Sequence, residues 1–231
     1  MPGVEVAYFV KDVVGPRGCV SIVVPKQEGQ SEDPSQSEDQ PPDENPERGD
    51  PQAQVVLGGI ATEVSFLETL FSEHAIAPFI DVVNVHAYFE TWHPDPIESL
   101  PEYVERATGI VREYGDDELL WMAETGYSSV GARAVVSEVY RSRFRGEHSD
   151  VAQANALART VVLALATGNL PLIAWYRIND LPTTQNVIGD DNNRHLGVRT
   201  VSGEEKPSLA TFVLLSDWFD QSFRMLDPEL Q

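Results

Sequence analysis

The sequence predicts an α/β fold in which about four strand-helix units build a parallel sheet, as in half of an eightfold barrel. From residue 55 onward, short apolar runs alternate with segments whose apolar residues recur at helical spacing. The 177 residues from 55 to 231 are too few for a complete barrel of this kind, which takes about 250 residues. A half barrel alone would leave two sheet edges open, so self-association through those edges is a further expectation.

A short β-rich segment, residues 1–25, precedes the four units. It contains the β-branched runs VEVAYFVKDVV and CVSIVV, with Gly15, Pro16 and Gly18 between them. This pattern predicts two strands joined by a turn. The sequence leaves open whether these strands belong to the sheet or to another β domain.

Residues 26–54 form a segment of different composition. It holds nine acidic and two basic residues, many Pro, Ser and Gln, and no aromatic or branched aliphatic residue. Such a segment cannot bury enough apolar area to offset its ordering entropy, so a disordered acidic linker or insertion is predicted. The third domain is then 55–231.

The four units follow in order along residues 55–231. Apolar runs predict strands, and amphipathic segments with suitable caps predict helices. Gly115 ends the second helix, Asp150 begins the third, and Pro207 lies in the first turn of the fourth. The predicted strands are 55–61, 81–89, 119–124 and 171–178, and the helices are 63–77, 96–115, 150–167 and 206–219.

Charge and hydropathy argue against several classes of partner. Sixteen Lys and Arg against 37 Asp and Glu give a net charge of -21, which repels nucleic acid and anionic lipid surfaces. No apolar stretch of about 18 residues and no signal-peptide pattern is present, so a membrane partner is not expected. Cys19 is the only cysteine, which excludes an internal disulfide. Localisation stays unknown.

Polar side chains gather at the predicted carboxyl ends of three neighbouring strands. Asn84, His86 and Tyr88 alternate with apolar residues on the second strand, Glu124 closes the third, and Trp175 lies near the end of the fourth. In parallel barrels, catalytic residues come from these strand ends. A carboxylate, a tyrosine hydroxyl and an aromatic platform together suit a sugar substrate. The expected substrate-binding residues are His86, Tyr88, Trp175 and Asn84.

The stretches VVLGG, DVVNVHAYF, LLWMAETGYSS, LIAWYRIND and HLGVRTVSGEEKPSLATF resemble the second half of a clan A glycoside hydrolase. These are retaining enzymes with a (β/α)8 barrel, and the similar region spans about residues 55–220. The resemblance implies that Glu124 is the nucleophile that ends the seventh strand. It also implies that His86 and Tyr88 match the clan's residues after the sixth strand, and that Trp175 matches the tryptophan of the eighth.

One part of the clan's pattern has no match in this chain. Clan members carry the general acid/base as the Glu of an Asn-Glu pair on the fourth strand, and the chain has no Asn-Glu dipeptide. Retention needs two carboxyl groups about 5–5.5 Å apart. The expected function is therefore a retaining glycoside hydrolase fragment that hydrolyses O-glycosidic bonds of a carbohydrate without a cofactor. The alternative is a non-catalytic remnant that at most binds carbohydrate.

The sequence also allows each of these residues a purely structural role. Glu124 could pair with an arginine or cap a turn, and His86 and Tyr88 could be core residues with satisfied hydrogen bonds. Trp175 could simply pack in the core. A metal site built from His86, His93 and Glu124 is a further alternative, but the spacing matches no compact ligand motif, and no metal is expected.

Overall fold

The computed structural model describes residues 7–10, 54–61, 63–93, 95–116, 118–131, 147–187 and 191–219. Most of the predicted linker at 26–54 and the second predicted N-terminal strand lie outside these residues. The domain boundaries therefore stay predictions.

The described strands form one mixed sheet in the order β1-β5-β4-β3-β2. Strands β2 to β5 run parallel to one another, and β1 pairs with β5 in the antiparallel direction, with Ala7 opposite Trp175 and Val10 opposite Leu172. The prediction of four parallel strands alternating with helices is confirmed. The strands are β1 Ala7–Val10, β2 Ile60–Ala61, β3 Val82–Ala87, β4 Leu119–Thr125 and β5 Leu172–Trp175.

Four α-helices in the described part of the chain follow the four parallel strands. They are α1 Val64–Ser72, α2 Leu100–Tyr114, α3 Asp150–Ala166 and α4 Pro207–Phe219. Each helix packs against the next one in the series. Three short 3-10 turns lie between these elements, at Ala77–Phe79, Ile97–Ser99 and Asp191–Arg194.

Two boundaries differ from the sequence prediction for local reasons. Helix α1 ends at Ser72, and Ala75 then has a positive φ of 49°, a conformation that a helix does not contain. Helix α3 is capped by Ser149, whose hydroxyl accepts a hydrogen bond from the Ala152 amide at 3.1 Å. The expected cap, Asp150, is instead its first helical residue, where a carboxylate favours the helix dipole.

The core lies between the helices and one face of the sheet. Alternation along β3 sends Val83, Val85 and Ala87 into this core, while Asn84 and His86 lie on the opposite face. None of the described helices is long and apolar enough to cross a membrane. The core also includes Leu67, Phe71, Leu100, Val104, Leu120, Met122, Leu157, Val161, Ile173 and Trp175.

The antiparallel strand β1 changes one expectation about the sheet edges. The outer edge of β5 is paired with β1, so it is not open as it would be in an isolated half barrel. Residues 7–10 thus belong to the same sheet as the four units. Self-association through a sheet edge stays a prediction.

Candidate functional site

The face of the sheet opposite the helices carries a short contact between a histidine and a carboxylate. Nδ1 of His86, at the end of β3, lies 2.6 Å from Oε2 of Glu124, at the end of β4. Each side chain keeps about a quarter of its surface accessible, 25% in both cases. The structure therefore brings together two of the predicted site residues, within reach of solvent.

A β-bulge in β4 places Glu124 on this face. Strict alternation would put Glu124 on the same face as Leu120 and Met122, which are buried in the core. However, Asn84 pairs with Trp121 while His86 pairs with Glu124, so β4 has one more residue than β3 between these pairs. The same extra residue appears against β5. The bulge turns the carboxylate from the core towards His86.

Asn84 supports the bulge from the neighbouring strand. Its Oδ1 accepts a hydrogen bond from the Ala123 amide at 3.2 Å, next to the point where the register changes. A bulge leaves a backbone group without its ladder partner, and Asn84 supplies that partner. The predicted substrate-binding residue Asn84 is thus engaged with the backbone of the strand that carries Glu124.

The environment of Glu124 keeps its carboxyl group ionised. Burial raises its pKa, but the hydrogen bond and charge of His86, together with the Tyr88 hydroxyl, outweigh burial and hold the pKa below the ordinary value of 4.5. An ionised carboxylate can act as a nucleophile.

Tyr88 lies beside Glu124 and is almost wholly buried. Burial, followed by the charge and hydrogen bonding of Glu124, raises the pKa of Tyr88 well above its usual value, so the hydroxyl keeps its proton. The hydroxyl lies close enough to Glu124 to lower the pKa of that carboxyl group, but its geometry is not that of a formed hydrogen bond, so proximity and charge link the two groups. The Tyr88 ring packs against Trp92, with ring centroids 4.0 Å apart and planes tilted by 39°.

Gly59 leaves room for His86. A Cβ atom at Gly59 would overlap the imidazole ring, with Nε2 as its nearest atom. The glycine just before β2 therefore allows the histidine to lie flat against the backbone of the neighbouring strand. Sequence reasoning missed this residue, although VVLGG carried the signal of two successive glycines at a strand.

Trp175 does not face Glu124. It lies among the core residues on the helix side of the sheet and is only 1% exposed. Alternation puts the next residue, Tyr176, on the side of Glu124, and its amide donates to the Thr125 carbonyl oxygen at 2.7 Å. The geometry favours the packing interpretation for Trp175 over the expected platform role. Tyr176 and Trp92 are the half-buried aromatic residues beside Tyr88.

Other acids near the strand ends are engaged elsewhere. Glu90 is 4% exposed, with its carboxylate 2.9 Å from Nη2 of Arg159 and bonded to the Ile97 amide at 3.0 Å. Glu63 accepts a hydrogen bond from the Ser65 hydroxyl at 2.9 Å. In the part of the chain that the structure describes, no group of three or more His, Cys, Asp and Glu residues is arranged to hold a metal ion.

A buried ion pair holds the loops after β4 and β5 together. Nζ of Lys206 lies 2.7 Å from Oδ2 of Asp180 and donates to the Ser129 hydroxyl at 2.8 Å. Asp180 also accepts from the Gly197 amide at 2.9 Å. Burial raises the pKa of Asp180 although Lys206, the Gly197 amide and His195 act in the opposite direction. These contacts anchor the segments on both sides of the site.

Comparison with known proteins returns glycoside hydrolases of solved structure. No family model matches the chain, and no curated protein matches it. The β-D-glucuronidase of Dictyoglomus thermophilum superimposes with a TM-score of 0.51 at 15% identity, covering 75% of this chain and 27% of that chain. At this identity the likeness shows a shared fold.

Two further solved structures are similar at lower TM-scores. The β-glucuronidase of Ruminococcus gnavus gives 0.48 at 15% identity, covering 73% of this chain and 26% of that chain. GH5_18 from Bifidobacterium longum gives 0.46 at 16% identity, covering 65% and 34%. The chain thus spans between about a quarter and a third of the length of these glycoside hydrolases.

Proposed function

We propose that this chain is the nucleophile-bearing half of a retaining glycoside hydrolase barrel of clan A, corresponding to strands five to eight. The carrying observation is the contact at 2.6 Å between His86 and Glu124, made possible by a bulge that turns Glu124 out of the core. The likeness of the fold to a β-D-glucuronidase supports the general class. The substrate would be a carbohydrate with an O-glycosidic bond.

In the proposed reaction, Glu124 attacks the anomeric carbon of the sugar. The carboxylate forms a covalent bond to that carbon while the bond to the leaving-group oxygen breaks, and water later hydrolyses the glycosyl-enzyme bond. His86 and the protonated Tyr88 hold the carboxylate ionised and oriented. Tyr176 and Trp92 replace Trp175 as the proposed aromatic surfaces for the sugar ring.

The second candidate is a carbohydrate-binding chain without catalysis. One observation favours it: among the described residues, no second free carboxylate accompanies Glu124, since Glu90 is bound to Arg159. A retaining enzyme needs such a group to protonate the leaving oxygen. The two candidates therefore differ in whether Glu124 reacts.

Covalent labelling separates the two candidates. A panel of 2,4-dinitrophenyl 2-deoxy-2-fluoro-β-glycosides is suitable, because dinitrophenolate leaves without protonation and the fluorine slows hydrolysis of the intermediate. We expect one member of the panel to label the peptide WMAETGYSS at Glu124, as located by mass spectrometry. Glu124→Gln should abolish labelling, because the amide cannot form the ester bond.

The matched control is Glu102→Gln, which removes an exposed carboxylate on α2 and should label normally. Labelling at another carboxylate, or undiminished labelling of Glu124→Gln, would contradict the nucleophile assignment. Glycoside binding without any labelling would favour the non-catalytic candidate.

A further inference from the structure

Arg177, just after β5, is a buried cation that has no anionic partner among the described residues. It is 8% exposed. Its Nε donates to the Asn179 carbonyl oxygen at 2.8 Å and its Nη1 donates to the Tyr176 hydroxyl at 3.0 Å. Both acceptors are neutral. Nη2 donates to no acceptor among the described residues, and it is not one of the fully buried polar atoms that lack a partner, so a ligand can reach it.

Two other basic side chains, which are at least half buried, each have an acidic partner. The buried Lys206 pairs with Asp180, and the half-buried Arg159 pairs with Glu90. In a chain with 37 acidic and 16 basic residues, acidic partners are abundant. Burying a charge without a partner of opposite sign is costly. An anionic ligand would supply the partner of opposite sign that Arg177 lacks among the described residues.

The position of Arg177 connects it with the proposed nucleophile. Tyr176 lies on the Glu124 side of β5, and the Arg177 guanidinium lies 5.2 Å from the centre of its ring. The charge of Glu124 raises the pKa of Tyr88 and the charge of Arg177 lowers it, which agrees with a position of Tyr88 between the two groups. The arginine therefore borders the space in which a sugar bonded to Glu124 would sit.

We propose that Arg177 is the anion-binding group of the sugar site, and that the substrate carries a carboxylate on the sugar held beside Glu124, as a uronic acid does. This inference rests on the proposed function, because that function defines the sugar site. The planar guanidinium fork matches a planar carboxylate with two parallel hydrogen bonds. It also offsets the repulsion between an anionic sugar and a protein of net charge -21.

Ligand binding to the full 231-residue chain tests the proposal. NMR titration with methyl β-D-glucuronide, methyl β-D-glucoside and the glucoside 6-sulfate compares sugars that differ in the group on C5. We expect the glucuronide to bind about tenfold or more tightly than the glucoside. Arg177→Gln should bring the glucuronide to the glucoside level and leave the glucoside unchanged, whereas Arg177→Lys should keep part of the preference.

The control variant is Arg106→Gln, which removes an exposed arginine on α2 and should leave all affinities unchanged. Three outcomes would overturn the carboxylate site and leave the proposed function intact. They are equal affinity for glucuronide and glucoside, a preference for the sulfate, and full glucuronide binding by Arg177→Gln. Binding of none of the three sugars would contradict this proposal and weaken the proposed function with it. Loss of folding in both Arg177 variants, measured by circular dichroism, would assign the arginine a structural role instead.

Discussion

At the residue scale, the pKa of Glu124 depends on His86, and the position of His86 depends on the space left by Gly59. The carboxylate is partly buried, and burial by itself would raise its pKa. His86, with a smaller contribution from the Tyr88 hydroxyl, reverses the sign of the shift. The imidazole ring of His86 occupies the space that a Cβ atom at Gly59 would need. We therefore expect Gly59, just before β2, to influence the pKa of the proposed nucleophile.

Gly59→Ala tests this dependence. The new methyl group overlaps His86 and displaces it from Glu124, so we expect the pKa of Glu124 to rise, because burial then dominates. A carboxyl with a lowered folded pKa adds stability that is present above its unfolded pKa and is lost as pH falls through the folded pKa. In the variant the folded pKa lies above the unfolded one, so this contribution is replaced by a destabilisation that is present at neutral pH and is relieved as the pH falls through the folded pKa. Carboxyl NMR titration and unfolding at several pH values measure both changes.

Gly58→Ala is the matched control, because a Cβ atom there meets no atom within 4 Å. It should leave the Glu124 titration unchanged. An unaltered Glu124 pKa in Gly59→Ala would show that the ring accommodates the methyl group and that the glycine is not required.

At the scale of elements, strand β4 combines two tasks that strict alternation cannot combine. Its first half delivers Leu120 and Met122 to the core, and its last residues must deliver a carboxylate to the opposite face. One extra residue in the strand resolves this conflict, and it leaves a backbone amide without its ladder partner. Asn84 satisfies that amide, which couples the geometry of β4 to β3.

Asn84→Leu should therefore destabilise both the fold and the site. An unsatisfied, fully buried amide costs about 1–3 kcal/mol. Because the Ala123 amide is only partly buried, we expect a loss of about 1 kcal/mol, at the lower end of that range, in the free energy of unfolding measured with urea. Asn84→Asp keeps an oxygen acceptor for Ala123 and should lose less at neutral pH. If the leucine variant is as stable as the wild type, the bulge does not depend on this hydrogen bond.

At the scale of the whole molecule, contacts between distant segments hold the strand ends in place. The Asp180–Lys206 pair joins the loop after β5 to the start of α4, and Lys206 also reaches Ser129 in the loop after β4. Because the pair is buried, removing either charge leaves the other without a partner, which costs free energy of folding. The segments that flank Glu124 and Arg177 are therefore fixed by electrostatics as well as by packing.

Lys206→Met removes one member of this pair and leaves the Asp180 carboxylate buried. We expect a loss of about 3–5 kcal/mol in the free energy of unfolding at neutral pH. The folded pKa of Asp180 should rise further, so protonation at lower pH should relieve part of the loss, which is the sign expected for an acid with a raised folded pKa.

The double variant Asp180→Asn with Lys206→Met removes both charges and should recover part of the stability at neutral pH. Equal losses in the single and double variants would show that packing of the lysine stem, and not the unpaired charge, causes the effect.

Local sequence patterns are sufficient to predict the succession of strands and helices in residues 55–219 and to mark the proposed reactive pair. Periods of two and 3.6 residues are local signals, so alternation along β3 places His86 and Asn84 on one face without knowledge of any neighbouring segment. The carboxylate at the end of an apolar run likewise marks Glu124, since buried runs rarely end on an unpartnered charge.

Which side chains surround Glu124 depends instead on how distant segments pack. The bulge in β4 is defined by its register with both neighbouring strands, and register is a relation between segments that no local pattern contains. For the same reason the sequence could not show that Trp175 enters the core while Tyr176 lies near Tyr88. The pairing of residues 7–10 with β5 joins segments more than 160 residues apart, and such a contact is set by the packing of the whole sheet.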